Sequence, residues 1–495
     1  MIGRKVALSS ALLGGGQIIA KGLDTIALVV VARFLTPADF GLVALASAVL
    51  LIANAVTDLP VSDVLVQRKD LNPRDLDAAF TLTLARGLFI ALALLVLSAP
   101  VAAFYHDPRL VPILCVLAIA PAASGLSSPM MVRYSRDVNY VPLAAMQIVG
   151  KVAAFVASVA VAYATRSYWA IVAGLVAAPV LPMLMTHILA PWRPRLSFKG
   201  ARSIVQFAGW VTFSRMIVTL NQQADRFFVG GILGKTQLGY YSLGSDVAST
   251  ATYALAGPVT QPLFAGFARI HDDHERLASA YLKGQQMMMA FVLPAGAGLA
   301  CLAAPVVTVL LGARWAPVVP VIQWLAPVIA LQMLTVPIHA ASMALGRPQV
   351  LALRETLALV LRLPATLVAA AWFGIEGAVI ARALSGLVII WVNLHIARSL
   401  VGPSVMQQIR NCGRSLGALA AMTGGLLAIQ AVAPAPTAHW PLVAWLAAMV
   451  AAGGALYIGA HLVLWSLTGR PPGPERLVLD ASTKLIPALQ RARSA

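Results

Sequence analysis

Stretches of twenty or more mostly apolar residues recur from one end of this chain to the other, separated by short polar breaks. A helix needs about 20 mainly apolar residues to cross a bilayer. The pattern therefore predicts an all-α integral membrane protein. Fourteen candidate spans lie near residues 11–34, 42–66, 78–103, 111–132, 140–164, 168–190, 204–232, 239–266, 285–311, 318–345, 350–371, 375–397, 413–433 and 441–466. Turn and breaker clusters punctuate them: Thr36-Pro37-Ala38-Asp39, Asp107-Pro108, Pro191-Trp192-Arg193-Pro194, Gly346-Arg347-Pro348 and Pro434-Ala435-Pro436. Composition excludes the alternatives. The 495 residues are 60% hydrophobic and 11% charged, against roughly 25% charged in soluble domains. A soluble enzyme, a disulfide scaffold and a disordered chain are ruled out. Cys115, Cys301 and Cys412 lie in or beside apolar segments without metal or disulfide spacing, so no metal site is expected. The first apolar stretch, which contains Lys21 and Asp24, is too long and too polar for a cleaved signal peptide and reads as a retained span.

Charge tests the span count independently. With the N-terminus inside, twenty-three lysines and arginines fall in cytoplasmic segments, and only Arg109, Arg166, Lys235 and Arg314 fall outside. Positive-inside insertion predicts such an asymmetry, with both termini cytoplasmic. It also makes most of the net charge of +18 topological rather than a nucleic-acid footprint. The extramembrane segments are short, and no GxxxxGK[ST] loop is present. Transport would have to be secondary or driven by a partner.

An internal repeat organises the spans. Leu35-Thr36-Pro37-Ala38-Asp39-Phe40-Gly41 superposes on Leu233-Gly234-Lys235-Thr236-Gln237-Leu238-Gly239 at an offset of 198 residues. At the same offset Gln17, Lys21 and Asp24 fall on Arg215, Thr219 and Gln222, each set on one helix face. Six spans separate the copies, so they share one orientation, as parallel repeats do. The expected organisation is a cytoplasmic N-terminus (1–10), a six-helix N-lobe (11–190), a basic linker (191–203), a six-helix C-lobe (204–400), two further spans (401–466) and a cytoplasmic tail (467–495).

Nine cations remain inside spans: Lys21, Arg33, Arg86, Lys151, Arg215, Arg226, Arg354, Arg362 and Arg382. The acids there are Asp24, Asp58, Asp63, Asp225, Asp246 and Glu355. A charge at mid-bilayer costs roughly 2.5–3.5 kcal/mol on insertion scales, so embedded ions usually face a cavity and act there. Nine against six leaves an excess of cations, which favours an anionic ligand. Arg33, Arg226 and Arg382, near span ends, can snorkel to headgroups. Lys21, Lys151, Arg215, Arg354 and Arg362 are the candidate ligand contacts. Lys21 and Asp24, three apart, could instead neutralise each other. Glu355 and Arg362, seven apart, share a face. Asn54 and Asp58 could face Asp24, and these three are candidates for H⁺ or Na⁺ coupling; no other cofactor is expected.

The residues resemble a known family at four places in order. Ala32-Arg33-Phe34-Leu35-Thr36-Pro37-Ala38-Asp39-Phe40-Gly41 resembles the opening signature of bacterial polysaccharide (O-antigen type) flippases, of the multidrug/oligosaccharidyl-lipid/polysaccharide exporter superfamily. Val66-Gln67-Arg68-Lys69-Asp70-Leu71 with Asp77-Ala78-Ala79-Phe80 is similar to that family's loop between spans two and three. Asp225-Arg226, Leu233-Gly234 and Leu238-Gly239-Tyr240-Tyr241-Ser242 are similar to its seventh-to-eighth-span signature, and Gly377-Ala378-Val379-Ile380-Ala381-Arg382 to its twelfth span. The resemblance implies fourteen helices in two lobes around a central cavity, and alternating access. The implied substrate is a polyprenyl-diphosphate-linked oligosaccharide, flipped across the inner membrane for lipopolysaccharide, capsule or exopolysaccharide, with polymerase or export machinery as a partner. Arginine grips phosphate oxygens in a bidentate fork and lysine as a point charge, so the five cations would hold the diphosphate. The alternatives are a multidrug or organic-cation antiporter and a lipid II flippase of the same superfamily. A membrane glycosyltransferase or ligase is disfavoured, because Asp39, Asp107 and Glu376 are the only acids expected outside, on loops of a few residues. An enzyme is not expected.

Overall fold

A computed structural model of the chain describes residues 2–475, apart from 60, 68–71, 138, 193, 194, 199, 200, 271 and 472. For 2–15, 17, 18, 63, 67, 201–211, 214, 254, 257–262, 264, 265, 268 and 348 it describes the backbone alone. The Asp63 side chain, the loop 68–71, Arg193, Lys199 and the tail beyond Glu475 lie outside the described residues. All regular structure among the described residues is helical. Among the described residues, eight helices are long and apolar enough to cross a membrane. Two helix pairs, Leu110–Gly125 with Pro129–Arg136 and His274–Cys301 with Ala303–Leu310, qualify as spans bent by 55° and 76°. Large apolar side chains such as Leu92, Val96, Trp372 and Val432 point outward and exposed. Water would make such a surface aggregate, whereas lipid solvates it. The chain is an all-α, multi-pass membrane protein.

The breaker clusters do local work. Helix Pro37–Val56 starts with a capping box: the Asp39 N–H donates to the Thr36 hydroxyl, and the Thr36 N–H donates to the Asp39 carboxylate. Proline at the first helical position needs no N–H partner. Two helices are far longer than a bilayer, Ala201–Arg269 at 69 residues and Pro348–Val401 at 54. Each is broken once, at Gly234 (φ 79°, ψ 171°) and Gly374 (φ 65°, ψ −148°). Glycine alone adopts such angles cheaply. Both breaks fall in gaps between expected spans.

By contacts the chain divides into two units, residues 1–243 with 355–378, and 244–354 with 379–495. In the first unit, helix Ile2–Phe34 packs along Val141–Thr165, which pairs with Trp169–Leu189. Val61, Val64, Leu65, Leu76 and Ala79 form part of its core. Helix Pro37–Val56 and the segment after Gly234 meet there at backbone distance. A Cβ on Gly41 would stand 1.7 Å from the Lys235 carbonyl oxygen, and one on Gly239 would stand 1.8 Å from that of Pro37. Positions 41 and 239, like 37 and 235, are related by the 198-residue offset. The two approaches are thus one contact viewed from each copy, the reciprocity that a two-fold relation produces.

In the second unit, helix His274–Cys301 packs against Val318–Gln332 and Gly413–Val432, and Gly413–Val432 pairs with His439–Leu467. Met288, Met289, Val292, Leu293, Ala330 and Leu394 build one core. Two-thirds of the apolar stretch of Val318–Ala344 is buried, against 22% of that in each of Gly413–Val432 and His439–Leu467, which are therefore peripheral in this unit.

Candidate substrate and coupling site

The densest group of embedded charges lies in the first unit, around Asp58. That residue follows the C-terminus of helix Pro37–Val56. One Asp58 oxygen accepts from Arg215 Nη1 at 2.7 Å, and the other stands 3.7 Å from Arg86 Nη2. The same Arg86 nitrogen donates to the Asn54 main-chain oxygen at 3.0 Å and its side-chain oxygen at 3.4 Å. A cation is well placed at the carbonyl end of a helix, so Arg86 caps this one while facing Asp58. The Thr212 hydroxyl donates to the Asp58 carbonyl. Asn54, Asp58 and Arg215 are thus brought together, joined by Arg86, which sequence reasoning left out of the site. Nothing in the Arg86 surroundings in sequence distinguished it from the other embedded cations.

The remaining candidates are distributed. Lys151 donates from Nζ to both Asp24 oxygens at 2.8 Å. Asp24 therefore faces Lys151 rather than its helix neighbour Lys21 or the Asp58 group. Lys21 is exposed and has no ion-pair partner among the described residues. Arg362 Nε lies 3.4 Å from Asp225, which also accepts from the Tyr241 hydroxyl at 3.1 Å. Glu355 accepts from the Asn221 side chain at 2.7 Å. Glu355 and Arg362 thus meet Asn221 and Asp225, so the shared face expected from spacing is real. Arg354 is half-buried and belongs by contacts to the second unit. Among the candidate cations, Lys151, Arg215 and Arg362 each hold a carboxylate.

A different ion group marks the loop after helix Pro73–Phe104. Asp107, 6% exposed, accepts from Arg109 Nε at 2.9 Å and Nη2 at 2.8 Å, and from Lys235 Nζ at 2.8 Å. The Arg109 hydrogen bonds, with those of Lys235 behind them, hold the Asp107 carboxyl well below the usual carboxylate range despite burial. The Tyr105 hydroxyl donates to the Phe227 carbonyl at 2.8 Å. These contacts fasten the loop beside the Gly41–Gly239 approach.

In the second unit Ser415, His461 and Glu475 line up at 3.1 Å each, in the order of a nucleophile, base and acid. Ser415 is 1% exposed, however, and Arg414 Nη1 grips Glu475 at 2.8 Å. The arrangement ties the chain after the last helix to the bundle and offers no substrate a path to the hydroxyl.

Solved structures place this fold among known transporters. The lipid II flippase MurJ, in an inward closed conformation, superposes with a TM-score of 0.73 over 93% of this chain and 100% of its own, at 11% identity. An inward-facing multidrug resistance MATE family transporter of the MOP superfamily superposes with a TM-score of 0.61 over 79% of this chain and 96% of its own, at 13% identity. At those identities the likeness concerns the fold alone.

Sequence narrows the class. The model of the polysaccharide biosynthesis protein family matches residues 30–320, more than half of the chain, and the chain belongs to that family. Among curated relatives, the lipopolysaccharide biosynthesis protein WzxC of Escherichia coli K12 is 25% identical over 338 residues, 67% of this chain and 68% of its own. The protein is a multi-pass membrane member of the polysaccharide biosynthesis family.

Proposed function

We propose that the chain flips a polyprenyl-diphosphate-linked oligosaccharide from the cytoplasmic to the periplasmic leaflet of the inner membrane by alternating access. The observation that carries this reading is the excess of cations over carboxylates inside spans of a chain from a polysaccharide-biosynthesis family. A diphosphate held in the membrane plane is the anion such an excess suits. Lys21, Lys151, Arg215, Arg354 and Arg362 contact it in turn as the transporter cycles, while the prenyl tail stays in lipid. Asp24, Asn54 and Asp58 couple transport to an H⁺ or Na⁺ gradient. Both acids hold basic partners here, so taking up a coupling cation would release Lys151 or Arg215 for substrate.

The topology belongs to this reading. Fourteen spans follow if the bent pairs count as one span each, the helices broken at Gly234 and Gly374 count as two each, and Ile2–Phe34 is a span. Both termini are then cytoplasmic, and Asp107, Arg109 and Lys235 sit at the periplasmic face. Polymerase or export proteins receive the product there.

Deleting the gene in its host tests the proposal. Lipid-linked repeat units should accumulate on the cytoplasmic leaflet and the surface or secreted polysaccharide should disappear. Wild type should restore both, and Arg215→Ala made at the same level should not. Unchanged polysaccharide with heightened sensitivity to cationic drugs would point instead to multidrug export on the same fold.

A further inference from the structure

The linker that follows helix Trp169–Leu189 is not a free tether. Trp192 packs against the core built by Val61, Leu65 and Leu76. Further on, the Arg195 N–H donates to an Asp77 carboxylate oxygen at 3.3 Å, and the Ser197 N–H donates to the Thr81 hydroxyl at 2.9 Å. Asp77 and Thr81 are buried, one turn apart on helix Pro73–Phe104, and the linker runs across them without helical structure. Successive side chains of an extended chain point to opposite sides, and the exposures follow that rule. Leu196 is 73% and Phe198 68% exposed, whereas Ser197 between them is partly buried. Two large apolar side chains are thus held outward, next to each other, on a linker that is otherwise basic. Depth and charge say what covers them. Helix Pro73–Phe104 has 32 residues, about 48 Å at 1.5 Å per residue, against an apolar bilayer core of about 30 Å. Shared equally, the excess is about 9 Å at each end, roughly six residues, which sets Asp77 and Thr81 at the boundary between headgroups and acyl chains. Leu88 and Phe89, two turns further in, are exposed as lipid-facing side chains are. Residues 191–203 include Arg193, Arg195, Lys199 and Arg202 and no acid. Apolar anchors among cations at that depth match a leaflet of anionic phospholipid.

We propose that residues 195–198 moor this linker to anionic phospholipid. Leu196 and Phe198 enter the acyl layer just beneath the headgroups, and Arg195, with the other cations of the linker, takes lipid phosphates. The topology proposed above supplies only the leaflet, the cytoplasmic one; the mooring does not depend on what is transported. It also gives a role to Asp77, which opens one of the family-like motifs. Asp77 and Thr81 hold the linker by its main chain, and so fix which side chains face the lipid and at what depth. Held by protein alone, the linker would leave two large apolar side chains in water, where they would be a liability.

An environment-sensitive fluorophore on single introduced cysteines tests this in the full chain, reconstituted in vesicles of phosphatidylcholine with phosphatidylglycerol. The native cysteines are buried or half-buried, and wild type treated in parallel gives their background. Probes at Leu196→Cys and Phe198→Cys should be quenched by a nitroxide placed high on the acyl chain and shielded from aqueous iodide. The probe at Ser197→Cys, facing the other way, should meet the nitroxide less. Native mass spectrometry should find phosphatidylglycerol retained by wild type, and Arg195→Gln should weaken that retention roughly fivefold with the thermal midpoint unchanged. Should a cysteine variant not fold, the Arg195→Gln comparison still decides, since that side chain is exposed. Iodide quenching at 196 and 198 without nitroxide quenching overturns the inference. So does shielding from both quenchers, which would mean that protein covers these residues. Retention of phosphatidylglycerol that Arg195→Gln leaves unchanged overturns the assignment to anionic lipid. These readouts involve no transport, so their failure leaves the proposed cargo standing, and failure to move that cargo leaves the mooring standing.

Discussion

Asp107 shows how single residues set the stability of this protein outside its apolar bulk. Arg109 and Lys235 both donate to its nearly buried carboxylate and depress its proton affinity. A group whose folded pKa lies below its unfolded value stabilises the fold at pH above the unfolded value, about 4, and loses that contribution as pH falls through the folded one. The two cations are well exposed, at 39% and 42%, so screening reduces the effect to the order of 1 kcal/mol. Asp107→Asn should therefore lower the thermal midpoint of purified protein at pH 7. It should also flatten the loss of stability between pH 5 and 3 that wild type shows. An unchanged midpoint and an unchanged acid limb would mean that the three charges are not joined in the membrane-embedded protein. At this scale sequence reading is weakest. It left Asp24 open between Lys21 on its own helix and Asn54 and Asp58 on the next, since periodicity relates only residues on one helix. The partner is Lys151, 127 residues away. The Asp58–Arg215 pair spans 157 residues, and such pairs are decided by packing between helices that no single-sequence pattern reports.

At the scale of elements, the glycines of the repeat separate two kinds of small residue. Gly239 lies against the Pro37 carbonyl, with no space for a side chain and only backbone to move. Gly424, inside helix Gly413–Val432, has nothing within 4 Å of where its Cβ would be. Gly239→Ala should cost about 1–3 kcal/mol through overpacking, whereas Gly424→Ala should stabilise by up to about 1 kcal/mol through helix propensity. Thermal unfolding in one detergent compares them directly, and similar shifts for both would contradict the reciprocal contact. Elements were far more legible than pairs. The Thr36-Pro37-Ala38-Asp39 break is a helix cap, and the gaps expected near 233–238 and 372–374 hold the two positive-φ glycines that break the long helices. Both signals are local, written in residues whose backbone preferences differ sharply from their neighbours'. The bends of 55° and 76° within two expected spans escaped the span count, since hydropathy records how apolar a segment is and not whether it runs straight; Gly125-Leu126-Ser127-Ser128-Pro129 marks the first of them locally.

For the molecule as a whole, an apolar helical chain with an excess of embedded cations belongs to a polysaccharide-biosynthesis family, and the anionic lipid-linked cargo proposed above suits that charge. The class of protein was legible because it depends on bulk hydropathy, charge asymmetry and ordered short motifs. The site was legible as a set of charges but not as an arrangement: Arg215, Asn54 and Asp58 converge with an unforeseen Arg86, while Lys151 with Asp24 and Arg362 with Asp225 form separate pairs. The most direct test is transport between leaflets of proteoliposomes, using a fluorescent polyprenyl-diphosphate oligosaccharide under imposed pH or Na⁺ gradients. The account predicts that wild type moves the lipid, and that Lys21→Ala and Arg215→Ala reduce the rate at least tenfold while remaining folded. Wild-type protein that leaves the lipid in place under every gradient and exports organic cations instead would contradict it.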